Sequence, residues 1–149
     1  MAKADELMAA QMRFTHAIVK TRSKFSLTPG ESHILGYLVN SSLGVAPLEI
    51  FRKMLEINAS TMTAMIKRMV DKGLITTMRD EKNKRQQLIK ITPVGADAFT
   101  KVSEEWKALW QRIIDGLGEE NANLYISLML DVAKLIMESE EFSWDTCIE

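Results

Sequence analysis

Residues 58–95 constrain the fold of this chain more than any other stretch. The segment reads as a helix that ends at Gly73, a strand, a charged loop, a second strand and the start of another helix. Alternating apolar and polar residues predict the strands over residues 74–80 and 86–92. The loop between them, residues 81–85, is too polar to pack, so the strands are expected to form a β-hairpin with a solvated tip.

Positive charge is concentrated in the same segment. It holds eight Lys and Arg residues against three Asp and Glu residues, a net charge of +5, whereas the whole chain carries −1. The remainder therefore carries −6, and residues 115–149 alone carry −8. A basic helix followed by a basic hairpin suits a phosphate-lined groove, and the acidic end is not expected on DNA.

Length and composition bound the remaining possibilities. A chain of 149 residues with 46% hydrophobic content predicts one domain with a substantial core. No apolar run approaches the roughly 18 residues of a membrane span, and the first residues lack the apolar core of a signal peptide, so a cytoplasmic protein without a membrane partner is expected. Cys147, the one cysteine, excludes an internal disulfide, and its acidic neighbours disfavour a redox role.

Helix-start signals precede and open the basic segment. Thr28, Pro29 and Glu31 form a capping box with proline at the first helical position. Pro47 is expected to open a short third helix, and Asn58 or Ser60 to cap the fourth. The third and fourth helices match a helix-turn-helix, to which the hairpin adds a wing. Apolar spacing predicts that the second and fourth helices bury Ile34, Leu35, Leu38, Val39, Met62, Met65, Ile66, Met69 and Val70.

Long amphipathic helices flank this lobe. The fold expected is mainly α with a small β-hairpin: a winged helix-turn-helix lobe over about residues 28–95, with helices over 5–25 and 96–139. The heptad-like spacing of the last two helices suggests an antiparallel pair or a dimer interface, and periodicity alone also permits a monomer with a helical cap. Residues 140–149 are expected to form an acidic tail.

Several of these motifs together resemble the MarR family, the multiple-antibiotic-resistance type of bacterial winged-helix regulators. The similarity lies in Leu27-Thr28-Pro29, in the helix ending Lys72-Gly73-Leu74-Ile75, and in the wing with Asp80, Lys84 and Arg85. This chain departs from the family in three places. Ala64 stands where the family is usually basic, Lys67 where it is usually acidic, and Asn83 where it has a second wing aspartate.

The resemblance implies a homodimeric repressor that binds double-stranded DNA. Its two recognition helices would lie in successive major grooves, about 34 Å apart. Short hydroxyl donors and cations on the fourth helix would contact phosphates or base edges, and the wing would reach the minor groove. The expected DNA-binding residues are Ser60, Thr61, Thr63, Ala64, Lys67, Arg68, Lys82, Lys84 and Arg85. The alternative is that these residues form only a solvated helix face and loop.

The resemblance also implies a small-molecule effector. Members of the family commonly bind small aromatic or phenolic anions, which release the DNA. His33 and Trp106 could supply a polar group and an aromatic wall for such a ligand. The alternative for Trp106 is a core or interface anchor.

No enzyme, metal or cofactor signature stands out. The sequence holds no Gly-rich phosphate loop and no nucleophile elbow, and its two histidines, His16 and His33, are not spaced as a local metal site. We therefore expect no catalytic residue, cofactor or metal. The remaining alternative to a DNA-binding regulator is a winged helix used as a protein-interaction module without its own operator.

Overall fold

The computed structural model of the chain describes residues 2–138. Residue 1 and residues 139–149, which include the predicted acidic tail and Cys147, lie outside the described residues. The described part is mainly helical with a small antiparallel sheet, which confirms the predicted fold class. Its elements are α1 (Lys3–Arg22), α2 (Pro29–Asn40), β1 (Val45–Pro47), α3 (Leu48–Leu55), α4 (Ala59–Asp71), β2 (Ile75–Arg79), β3 (Gln87–Ile91), α5 (Pro93–Leu117) and α6 (Glu119–Met137).

These elements belong to two compact units. The first extends to Val102 and contains α1 to β3 and the start of α5. The second begins at Ser103 and contains the rest of α5 together with α6. Gly118, with φ of +80°, separates these two helices, a conformation that costs glycine little because it has no Cβ.

The predicted helix starts are largely confirmed at atomic detail. The Thr28 hydroxyl accepts a hydrogen bond from the Glu31 amide at 3.3 Å, and Pro29 is the first residue of α2. Asn58, and not Ser60, caps α4, because its Oδ1 accepts the Thr61 amide at 2.8 Å. These side chains satisfy amide groups that a helix start leaves without an intrahelical partner.

The sheet contains a strand, β1, that the sequence pattern does not predict. Its order is β1-β3-β2, with Ile89 of β3 opposite both Ala46 of β1 and Thr77 of β2. Pro47 ends β1 and caps α3, so the prediction that it opens the third helix was wrong by one residue. A proline is compatible with this position because β1 is an edge strand.

The core of the first unit lies between its helices and the sheet. Phe51 is fully buried and meets the ring of Tyr37 edge to face, with 5.4 Å between the ring centroids. Two predicted core residues lie outside it: Val39 is 44% exposed and Val70 is 40% exposed. The other fully buried apolar side chains are Ile34, Leu35, Leu38, Met62, Met69, Ile75 and Ile89.

One charged side chain lies in this core. Glu31 is fully buried, and both of its carboxylate oxygens accept hydrogen bonds from the Lys72 ammonium group at 3.0 Å. Lys72 is the C-cap residue of α4. The carboxylate therefore ties α2 to the end of α4, whereas the capping-box prediction expected it to return to the start of its own helix.

We expect Lys72→Met to destabilise the protein by about 1–3 kcal/mol, because it leaves the buried Glu31 carboxylate without its cation. Lys67→Met is the matched control, since it removes a lysine from the exposed face of the same helix and should change stability by less than about 0.5 kcal/mol. Denaturant unfolding of both variants measures the difference. Equal stabilities would show that the ion pair contributes nothing.

A second constraint lies where the residues that follow α4 pack against the residues that begin α5. The Thr92 amide donates to the Leu74 carbonyl at 3.1 Å, and the Thr92 hydroxyl donates to the Gly73 carbonyl. The same hydroxyl oxygen accepts the Gly95 amide at 3.0 Å. A Cβ atom at position 95 would stand 2.1 Å from the Leu74 carbonyl oxygen, so only glycine fits there.

We expect Gly95→Ala to destabilise the protein by about 1–3 kcal/mol or more, because the added methyl group would push two backbone segments apart. Gly116→Ala is the matched control in the same helix, where a Cβ meets nothing within 4 Å. That substitution should leave the melting temperature unchanged or raise it, since alanine is the better helix former. A Gly95→Ala variant as stable as the wild type would contradict the close approach.

Candidate nucleic-acid interface

Helix α4 divides cleanly into a buried and an exposed face. Met62, Ile66 and Met69 are buried against the rest of the first unit. The other face carries the six residues of this helix that are predicted to bind DNA, and all six are exposed: Ser60, Thr61, Thr63, Ala64, Lys67 and Arg68. The helix therefore presents two adjacent cations and several small polar groups to solvent.

The hydroxyl groups on this face are not equivalent. The Ser60 hydroxyl donates to the Asn58 side chain at 2.9 Å, and the Thr63 hydroxyl donates to the Ala59 carbonyl at 2.9 Å. Both donors are therefore engaged within the helix. The Thr61 hydroxyl makes no such bond to the described residues, so its donor remains available to a ligand.

The wing is an ordered turn with an exposed basic edge. The Asp80 carboxylate accepts the Lys82 amide at 2.9 Å, and the Asn83 carbonyl accepts the Gln86 amide at 2.8 Å. The Asn83 side chain also accepts the Arg85 amide at 3.3 Å. The side chains predicted to reach DNA, Lys82, Lys84 and Arg85, are all exposed on this turn.

A groove of about 380 Å³ runs between the start of α3 and the base of the wing. Leu48 and Glu49 line it on the helix side, and Arg79 and Arg85 line it on the wing side. The Glu49 carboxylate is paired with Arg52 at 3.2 Å. Arg79 is one of the eight cations of the basic segment, and the sequence predicts no role for it because a position at the end of a strand does not indicate its contacts.

The two predicted effector residues lie in different units. His33 is exposed on α2 in the first unit, and Trp106 is half-buried on α5 in the second. Their role in ligand binding therefore stays a prediction.

No group of three or more metal-ligating side chains occurs among the described residues. None of their helices combines the length and apolar character needed to cross a membrane.

The arrangement defines a class of protein. A helix-turn-helix formed by α3 and α4, followed by a hairpin with an exposed basic turn, is a winged helix-turn-helix of the DNA-binding type. The family model for the MarR family matches residues 42–86, from the loop before β1 through the wing. Residues 42–86 are therefore similar to the winged helix of the MarR family, which confirms the resemblance predicted from the sequence.

Solved structures are similar in fold over about nine-tenths of the chain. YusO from Bacillus subtilis is 23% identical, with a TM-score of 0.68, over 89% of this chain and 99% of that chain. The PcaV transcriptional regulator from Streptomyces coelicolor is 16% identical, with a TM-score of 0.73, over 91% of this chain and 98% of that chain. The adhesin competence repressor from Streptococcus pyogenes is 17% identical, with a TM-score of 0.62, over 88% and 98%. No curated protein sequence matches this chain.

We expect Thr61→Val to weaken DNA binding by about 0.5–1.5 kcal/mol, because it removes an available donor without changing the shape of the side chain. Thr63→Val is the matched control on the same helix, since its hydroxyl is already engaged and its loss should leave affinity nearly unchanged. Binding to one selected DNA duplex compares the two. Equal losses would show that the internal hydrogen bond does not decide which threonine contacts DNA.

Proposed function

We propose that the protein is a homodimeric transcriptional repressor that binds a pseudo-palindromic operator and is released from it by a small aromatic or phenolic ligand. It would act in the cytoplasm, where a bacterial chromosome lies. The observation that carries this proposal is the joint exposure of the α4 face and the wing, both basic, in a chain that is otherwise acidic.

The DNA contact would use both exposed surfaces of the first unit. Helix α4 would enter the major groove, where Arg68 can donate to both acceptors of a guanine and Lys67 can bind phosphate. Lys82, Lys84 and Arg85 would follow the adjacent minor groove, whose potential is most negative at A·T-rich sequence. Ala64 would add apolar contact without charge.

Both units have exposed apolar side chains, which support the proposal that the protein forms a dimer. No residue of α1 is buried, and Leu7 and Met12 on this helix are 68% and 70% exposed. On α6, Leu124, Leu130 and Leu135 are each more than half exposed. Burying such side chains against a second copy would contribute about 25 cal/mol for each Å² of apolar surface removed from water.

The names of two structural relatives support the proposal that a ligand releases the protein from DNA. PcaV has been solved in complex with its natural ligand, and the relative from Streptococcus pyogenes is named a repressor. In this chain a ligand would have to prefer the conformer that does not bind DNA, and that preference would set the loss of affinity. His33 and Trp106 are the residues that we propose to test for it.

Selection of genomic DNA fragments by the purified protein tests the proposal. We expect a palindromic site with half-sites about one helical turn apart, and an affinity that falls steeply with salt because several phosphates are neutralised. Sedimentation of the free protein should give twice the mass of one chain, and the protein bound to DNA should have the same mass.

The control is the same selection after unfolding and refolding, which removes any bound ligand. A protein that selects no DNA at low salt even after refolding would contradict the proposal and favour the protein-interaction module. A single half-site bound by one chain would contradict the dimer alone.

A further inference from the structure

We propose that Arg79 is a positioning residue of the wing, which fixes the peptide group between Lys84 and Arg85 and so sets the direction in which both side chains meet DNA. This inference rests on the proposed function. It concerns a residue that the family resemblance does not assign.

The peptide group between Lys84 and Arg85 is held from both of its ends. Its carbonyl oxygen, that of Lys84, accepts a hydrogen bond from Nη1 of Arg79 at 3.0 Å. Its amide, that of Arg85, donates to Oδ1 of Asn83 at 3.3 Å. Because a peptide group is planar, fixing its oxygen and its amide hydrogen fixes the orientation of the whole plane.

The orientation of that plane matters because it joins the Cα atoms that carry the two cations. Rotation of the plane would redirect the Cα–Cβ bonds of Lys84 and Arg85, and long side chains enlarge such a change at their tips. Both side chains are exposed, and no ion pair holds either of them within the described part of the chain. Their direction is therefore set mainly by the backbone beneath them.

The Arg79 bond also differs in kind from the other side-chain bonds of the wing. Arg79 ends β2, opposite Gln87 of β3, and the Asp80 amide donates to the Gln86 carbonyl at 3.0 Å just beyond it. In the turn that follows, the Asp80 and Asn83 side chains each bond an amide only two residues ahead. Arg79 reaches from one arm of the hairpin to the other, five residues along the chain.

The residue type fits this role better than lysine would. A guanidinium group is planar and has five N–H donors in a fixed arrangement, whereas an ammonium group is a compact charge on a flexible stem. Arg79 also lines the groove beside the wing together with Arg85, so its remaining donors could bind a phosphate directly. The experiment has to separate these two roles.

We expect Arg79→Lys, which keeps the charge but not the planar group, to lower operator affinity about tenfold, a loss within the range for one misplaced arginine, with the melting temperature unchanged. The slope of affinity against salt should stay within error of the wild type, because no phosphate contact is lost. Arg13→Lys, the same change on α1 outside the basic segment, is the control and should leave affinity unchanged.

A double-mutant cycle then tests whether Arg79 acts through the two cations. In a Lys84→Ala/Arg85→Ala background, Arg79→Ala should change affinity by less than about twofold, since nothing remains for it to position. If Arg79→Ala lowers affinity as much in that background as it does in the wild type, the proposal is overturned and Arg79 contacts DNA directly. Wild-type affinity in Arg79→Lys would overturn it as well.

Amide hydrogen exchange in the DNA-free protein provides a readout that does not depend on the proposed function. The Arg85 amide should exchange faster in Arg79→Ala than in the wild type, while the Lys82 amide, held by Asp80, should not change. If the wild type binds no DNA, the proposed function fails, and this measurement still decides whether Arg79 orders the turn. Unchanged exchange at Arg85 would show that it does not.

Discussion

The DNA-binding unit depends on the close approach of two backbone segments, where the end of α4 meets the start of α5. Gly73, with φ of +75°, ends the recognition helix and turns the chain into β2. Thr92 follows β3 and hydrogen-bonds back to Gly73 and Leu74, and Gly95 has no side chain to keep the segments apart. The same few residues therefore fix the end of the recognition helix, the base of the wing and the first turn of α5. No one of these elements can be displaced there without disturbing the other two.

Two cations of the basic segment have partners within the protein. One forms an ion pair with a buried carboxylate, and the other donates a hydrogen bond to a backbone carbonyl. The segment holds eight cations, but Lys72 is paired with the buried Glu31, and Arg79 is bonded to the Lys84 carbonyl. Pairing with Glu31, an acid outside the segment, therefore offsets the charge of Lys72, whereas Arg79 keeps its charge and remains exposed. In the proposed complex the cations on the exposed α4 face and wing turn would attract the DNA, while Lys72 and Arg79 hydrogen-bond to other parts of the first unit. Charge in this segment serves both position and recognition.

Most of the fold follows from local sequence signals. The features that the sequence does not predict depend on contacts between residues that are far apart in the chain, or on atomic geometry. Thr28 and Asn58 act as helix caps within three residues of their partners, so the sequence alone predicts them. The contact between Glu31 and Lys72 spans 41 residues, and a capping box carries no information about such a partner. The strand Val45–Pro47 is too short to show alternation, and it forms because β3 offers an open edge. The exposed site residues were predicted by type and position, but Ser60 and Thr63 use their donors in bonds that only atomic geometry reveals.

The departures from the family pattern have a common electrostatic consequence. Ala64 removes a cation that the family usually has, and Lys67 adds one three residues later, so positive charge moves about one helical turn along α4, beside Arg68. In the wing, Asn83 replaces an aspartate and accepts the Arg85 amide as a neutral group. An aspartate there would place a negative charge two residues from Arg85, whereas the carboxamide is neutral. The turn is thus held by the neutral Asn83 side chain and by Arg79. In the proposed complex the Arg85 guanidinium would meet a phosphate or a narrow minor groove with no acidic residue at position 83.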